Sequence, residues 1–405
     1  MSTETVFVPS ILRTPGIIPL LALLTLVMTG TGMVSPVLSL YARAFGVSGA
    51  LVGMMITLYG VGRLLANLPA GVLSERYGRK MFLCLGPAII GVGAIGAALT
   101  TDFSAVLFWR FVQGVGSGIY MTVSATVLVQ LASAAERGRA LAFYQGALLL
   151  GTGIGPAIGG FLANHWGLAA PFWAFGIVGF AGTLFALFGF SEPPPDPESS
   201  ASDTAGAAPK PSARQLLLQL PFLSLCIITF GTFFTRTGSQ WIVIPLIGKD
   251  SLGLSVDAIG VALSVIAVAN FAMLAVVGPA IDRFGARQIL VHSTVLTGIA
   301  LVLIAFSQTQ LMFWFAIALL GVAAGFSGPS VSAAVATLVP RSMYGPAIGM
   351  QRAVGDVGYV IAPILVGFMY DLPGFGSVGA LIFNAVVMVA ASILFRVATS
   401  GAPKN

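Results

Sequence analysis

Gly71, Val72, Leu73, Ser74, Glu75, Arg76, Tyr77, Gly78, Arg79, Lys80 is a short, densely charged stretch between two long apolar runs. A second copy lies 207 positions further on: Gly278, Pro279, Ala280, Ile281, Asp282, Arg283, Phe284, Gly285, Ala286, Arg287. Glycine, acid, arginine, aromatic and glycine recur in the same order. The same offset carries Gly138 onto Gly345, Gly151 onto Gly358, Pro156 onto Pro363 and Gly160 onto Gly367. An offset held through loops and apolar runs alike identifies a duplicated membrane unit.

Composition places that unit in a bilayer. Charged residues make up 8% of the chain and hydrophobic ones 57%, and the mean hydropathy is +0.98, whereas a soluble domain carries about 25% charge. A spanning helix takes about 20 apolar residues, and the punctuation of the 405 residues predicts twelve. They are expected near 17–40, 49–73, 81–100, 104–131, 139–163, 169–190, 217–247, 256–280, 288–307, 311–339, 345–370 and 377–397. The first is too long for a signal peptide and reads as retained. Pro193, Pro194, Pro195, Asp196, Pro197 and Glu198 mark 191–213 as a disordered linker between six-helix bundles over 1–190 and 214–405.

Basic residues orient the chain. With both termini cytoplasmic, thirteen of the 19 fall in cytoplasmic segments, two (Arg43 and Lys249) lie outside and four lie within spans. That bias predicts cytoplasmic termini; a bacterial inner (plasma) membrane location, protons and a small-molecule substrate as partners and a monomeric state are expected besides. The pI near 9.6 has the same origin and implies no nucleic-acid partner. Cys84 and Cys226 read as small hydrophobes. His165 and His292 are far apart, so no metal site is expected, and Gly248, Lys249, Asp250 lacks the glycine spacing and hydroxyl of a phosphate-binding loop. Neither a cofactor nor enzymatic chemistry is predicted.

The segment from Gly71 to Lys80 resembles the loop signature of the major facilitator superfamily, Gly-x-Leu-Ala-Asp-Arg-x-Gly-Arg-Lys, with Glu75 in place of Asp and Ser74 in place of Ala. The resemblance extends over nearly the whole chain and implies an all-α fold of twelve transmembrane helices in two pseudo-symmetric bundles. In the loop, Gly71 allows close helix packing and Gly78 a tight turn. Arg76 and Arg79 with Lys80 can bind helix ends, carboxylates or headgroups, and Glu136 is the nearest loop carboxylate able to complete an ionic latch. Asp282, Arg283 and Gly285 are the counterparts in the second copy. Topological anchoring alone is the alternative role for these charges.

Two further motifs match the family. Arg110, Gln113 and Gly114 resemble its Arg-x-x-Gln-Gly motif, and with Ser117 they form one polar stripe at helical spacing. An arginine at mid-membrane costs about 2.5 to 3.5 kcal/mol on insertion scales, so it should face a cavity or a partner. In the family this position is linked to proton exchange and substrate binding; bonding to backbone carbonyls is the structural alternative. Gly151, Gly155, Pro156, Gly159 and Gly160 match the Gly-x-x-x-Gly-Pro-x-x-Gly-Gly pattern associated with drug:proton antiporters. Such a face suits close packing where two halves slide or seal.

The embedded charges are Arg63, Arg110, Arg236 and Arg352 against a single acid, Asp356. Asp356 lies four residues after Arg352 on one helical face, and Arg63 is a second partner if spans two and eleven meet, as the resemblance implies. A carboxylate whose arginine neighbours change with conformation is a candidate for proton coupling; a permanent Arg352–Asp356 pair is the structural alternative. The resemblance also implies a cavity lined by spans one, four, seven and ten. These offer Thr29, Arg110, Gln113, Ser117, Arg236, Gln240, Trp241, Phe326 and Ser330, an amphipathic set with a positive bias. The expected function is alternating-access secondary transport of a small organic molecule, as proton-coupled efflux, with proton-linked movement of an organic anion or a non-transporting receptor as alternatives.

Overall fold

The computed structural model describes residues 10–133, 136–191, 219–339 and 343–400, and among these every regular element is a helix. Twelve are long and apolar enough to cross a bilayer. In chain order, spans one to six are Ile17–Val34, Gly49–Tyr77, Arg79–Leu99, Phe103–Leu131, Arg137–Trp166 and Ala170–Gly189. Spans seven to twelve are Leu220–Asp250, Val256–Phe284, Ala286–Ala305, Gln310–Leu338, Tyr344–Asp371 and Gly376–Ala398. The expected linker lies outside the described residues except for Ser191.

Boundaries follow local chemistry. Span one stops at Val34, short of the expected residue 40, because Pro36 interrupts the hydrogen-bond ladder and a short helix, Leu38–Arg43, follows. Spans two and eight continue past the apolar run until Gly78 and Gly285, whose φ values of 94° and 83° end them in a conformation that side chains rarely adopt. Ser48, Asp102 and Thr309 cap the starts of spans two, four and ten by accepting backbone N–H bonds.

Apolar side chains such as Leu68, Phe188 and Leu311 point outward, each 82% exposed, as lipid contact allows. Since lipid is as apolar as leucine, helix association must come from close packing. Span five shows how: a Cβ at Gly155 would lie 2.5 Å from the Thr29 carbonyl oxygen of span one.

Spans one to six pack on one another, as do spans seven to twelve, and the two groups meet where span two meets eleven and span five meets eight. The two meeting lines are related by the 207-residue offset. Gly53 abuts Pro363 and its counterpart Gly260 abuts Pro156. The Thr57 hydroxyl donates to the Val360 carbonyl at 2.6 Å, and the hydroxyl of its counterpart Ser264 accepts from the Ala157 amide at 3.0 Å.

These contacts occupy one end of the helices. Toward the face that carries the Gly78 and Gly285 turns, the end of span twelve and the start of span one, the lines part. Cβ atoms at Gly146, Gly278 and Gly349 would meet nothing within 4 Å, and one at Gly71 only Thr122 at 3.8 Å. The close packing expected at Gly71 is therefore not found: a side chain there would have ordinary contact with Thr122. The protein is closed on the far face and open on the face that carries the start of span one and the end of span twelve.

Closure of the far face has polar parts. Arg43 forms an ion pair with Asp250, again 207 positions away, and Tyr370 donates to the same carboxylate at 3.4 Å. Asp371, at the end of span eleven, accepts the amides of Gly49 and Ala50 at 2.9 and 3.1 Å, capping span two from the other half. Beside them lies a depression of about 500 Å³ that includes Arg43, Asn164, Lys249 and Asp250.

Candidate functional site

At the inner end of the contact between spans two and eleven, Arg63 Nη2 meets Asp356 Oδ1 at 2.7 Å. The side chains retain 22% and 21% exposure, so the pair closes one half against the other while touching the open cavity. Of the two partners available to Asp356, the structure selects Arg63. Arg352 is exposed one turn nearer the open face, where water can solvate it.

Tyr359 organises the remaining groups. The Arg63 guanidinium sits 4.7 Å from its ring centroid, and Trp241 meets that ring edge-on at 5.7 Å. Arg236 is exposed, yet its electrostatic neighbours are Tyr359 and Arg63 in the centre of the protein. Both observations hold if the guanidinium projects into the open cavity. Gln240, one turn on, is half-buried.

Arg110 behaves differently. It is 3% exposed, its Nε donates to the Met55 carbonyl at 3.3 Å and its Nη1 to Gln113 Oε1 at 2.5 Å. The guanidinium lies 4.5 Å from the Tyr59 ring centroid. Cation–π contact and oxygen acceptors from its own half compensate the charge, with no carboxylate in ion-pair range among the described residues. Gln113 is fully buried and turned toward span three, beside Gly93.

Ser117 and Ser330 are buried, and the Ser330 hydroxyl has no partner among the described residues. Thr29 is half-buried and donates to the Thr25 carbonyl at 2.8 Å; Phe326 is half-buried. The groups brought together at the cavity are therefore Arg63, Asp356, Tyr359, Arg236 and Trp241, with Gln240 beside them. Arg110, Gln113, Ser117 and Ser330 lie behind this layer.

The glycine motif of span five has two working faces. Gly151, Gly155 and Gly159 abut span one within their own half, whereas Pro156 and Gly160 abut span eight across the interface. In the charged loop, Glu75 and Arg79 approach to 3.8 Å across the Gly78 turn, and Arg76 lies over Tyr77 as Arg283 lies over Phe284. Asp282 is exposed, and Glu136 accepts from the Ser133 hydroxyl at 2.8 Å.

Three features were not foreseen. Span seven is a π-helix over Thr235–Val243, inside the segment that carries Arg236, Gln240 and Trp241. Tyr59, which stacks on Arg110, carries no sequence signal beyond its spacing of four from Arg63. The Arg43–Asp250 pair could have been found from the repeat, since opposite charges occupy equivalent positions at the ends of spans one and seven.

The arrangement holds a carboxylate, Asp356, ion-paired with Arg63 where spans two and eleven of the two halves meet. The rest of the site presents excess positive charge, an aromatic edge and the Gln240 amide, which suits an amphipathic molecule with an acceptor-rich or anionic end.

Comparison with known proteins agrees with this architecture. The model of the family described as Major Facilitator Superfamily matches residues 20–238 and 225–405. An uncharacterized MFS-type transporter, MJ1560 of Methanocaldococcus jannaschii, is 22% identical over 91% of this chain and 94% of its own. Multidrug resistance protein MdtG of Klebsiella pneumoniae is 27% identical over 87% of this chain and 88% of its own. Among solved structures, a bacterial homolog of the human lysosomal transporter Spinster, in an inward-facing and occupied conformation, superposes with a TM-score of 0.77. It is 15% identical and covers 95% of this chain and 96% of its own. The chain is an integral membrane transporter and belongs to the Major Facilitator Superfamily.

Proposed function

We propose that the protein exports small, partly apolar organic compounds in exchange for protons. The observation that carries this reading is the Arg63–Asp356 pair, which holds the only deeply embedded acid of the sequence at a seam between moving halves and in contact with the open cavity. A rocking motion of 1–190 against 214–405 alternates access to the cavity. Proton uptake at Asp356 releases the seam on the far side. Basic residues concentrate on the face that is open here, which supports cytoplasmic termini, an inward-facing state and a plasma-membrane location. Outward direction is supported by the glycine pattern of span five and by similarity to a multidrug resistance protein.

Reconstitution into vesicles with an imposed pH gradient tests this reading, using a panel of lipophilic anions, neutral compounds and lipophilic cations. Substrate movement should oppose proton movement and should collapse in Asp356→Asn. Uphill transport by Asp356→Asn with an unchanged pH profile refutes the coupling role. The positive bias of Arg63, Arg236 and Arg352 favours a second reading, proton-linked movement of an organic anion in the same direction as the proton. Co-movement of substrate and proton in the same vesicles identifies it.

A further inference from the structure

We infer that Asn384, on span twelve and remote from the cavity surface, is a positioning residue that sets the register of span seven and thereby decides which side chains line the transport cavity. Asn384 is fully buried. Its Nδ2 donates to Thr235 Oγ1 at 3.1 Å and to Ser239 Oγ at 2.7 Å, and its Oδ1 accepts from the Thr235 hydroxyl at 3.3 Å. Thr235 and Ser239 are the first and fifth residues of the π-helical segment Thr235–Val243. The segment closes with the Ile244 amide bonded to the Ser239 carbonyl, a five-residue step.

The consequence for the cavity follows from helix geometry. In a continuous α-helix, residues i, i+4 and i+7 share a stripe, so Val243 would face the cavity with Arg236 and Gln240, and Trp241 would turn aside. A π turn holds one more residue and rotates everything beyond it. That is the observed arrangement. Val243 is fully buried, while Trp241 reaches the Tyr359 ring that also carries Arg63. The wider turn is unfavourable without support, and π turns occur mostly as single-turn insertions inside α-helices, frequently at functional sites. Here one amide ties two hydroxyls one turn apart on the back of the segment. On the span eleven side, Thr237 donates to the Tyr359 carbonyl at 3.3 Å.

The test reads the register directly and needs no substrate. In a full-length protein freed of its own thiols by Cys84→Ser and Cys226→Ser, single cysteines are introduced as Arg236→Cys, Val243→Cys and, as a buried control on span nine, Thr294→Cys. Reaction with a water-soluble maleimide is then timed in membranes. With Asn384 present, the site at 236 should react and those at 243 and 294 should react roughly tenfold or more slowly, as protected positions do. Adding Asn384→Leu should make position 243 reactive while 294 stays protected. Protection of 243 in the Leu variant overturns the inference. So does simultaneous labelling of 243 and 294, which would mean that Asn384 only holds the bundle together. If Asn384→Leu does not insert, Thr235→Val with Ser239→Ala removes the same hydrogen bonds from span seven, and the same pattern must appear there.

Discussion

Neutralising Asp356 should shift the protein from the state closed on the far face toward the state open on it. In Asp356→Asn the side chain keeps its shape and loses its charge, so Arg63 forfeits its ionic partner while retaining the Tyr359 ring beneath it. A hydrogen bond to a charged group contributes about 1.5 to 3 kcal/mol when buried, and an exposed ion pair about 0 to 1 kcal/mol. At 22% and 21% exposure the pair lies between these limits, so about 1 kcal/mol is a fair figure for its share in holding the seam. That corresponds to roughly a fivefold change in the ratio of the two states. Spin labels on Ser48→Cys and Ser251→Cys, exposed positions on the far face of either half, would report the ratio as populations of a short and a long distance. In a double-mutant cycle, Arg63→Gln should add little to Asp356→Asn, because both remove one interaction. Unchanged populations in the Asn variant, or full additivity of the two substitutions, would refute the reasoning.

Asp371→Ala removes the cap on the Gly49 and Ala50 amides; caps contribute about 0.5 to 2 kcal/mol, so the same spin-label pair should show a larger long-distance population in that variant. Gly160→Val places a side chain against the Val256 carbonyl oxygen, where even a Cβ would lie at 2.7 Å; the variant should insert normally but fail to close the far face, and vesicle transport should fall to background. Arg236→Gln should weaken binding of an organic anion by the loss of a charge-assisted contact, about 1.5 to 3 kcal/mol, with little change for neutral compounds in the same titration. Asp102, held below the usual carboxylate range first by the Ser104 hydroxyl and then by the Ala105 amide, caps span four. Its contribution is present above the ordinary aspartate value and is lost as pH falls through the lowered one. Asp102→Ala should therefore lower Tm at neutral pH, and the difference from the parent should vanish in strong acid.

The fold was legible because its information is one-dimensional. Apolar run length fixes the number of spans, and positive φ at Gly78 and Gly285 answers to glycine at both repeat positions. The site was legible only in its inventory. The helical spacing of four pairs Asp356 with Arg352, but Arg63 takes the carboxylate because it lies where the halves touch, and Arg352 lies where they have parted and water is available. Arg110 and Gln113 share a polar stripe with Ser117, yet they face spans two and three, since a buried guanidinium follows its acceptors rather than the cavity. The π turn is invisible to periodicity because the side chain that stabilises it, Asn384, comes from span twelve.

The two interfaces differ most in charge. The offset maps Gly53 and Pro363 onto Gly260 and Pro156, and Thr57 onto Ser264, so both seams have the same close backbone approach and a hydroxyl at the same position, which donates to the Val360 carbonyl in one and accepts from the Ala157 amide in the other. It maps Arg63 onto Asn270 and Asp356 onto Leu149. Glycine and proline are thus duplicated where the requirement is mechanical, a surface on which two helices can meet and part. Among the described residues, this ion pair belongs to one seam only. The asymmetry therefore assigns the packing work to both seams and the ion pair to the seam of spans two and eleven, beside Tyr359, Trp241 and Arg236.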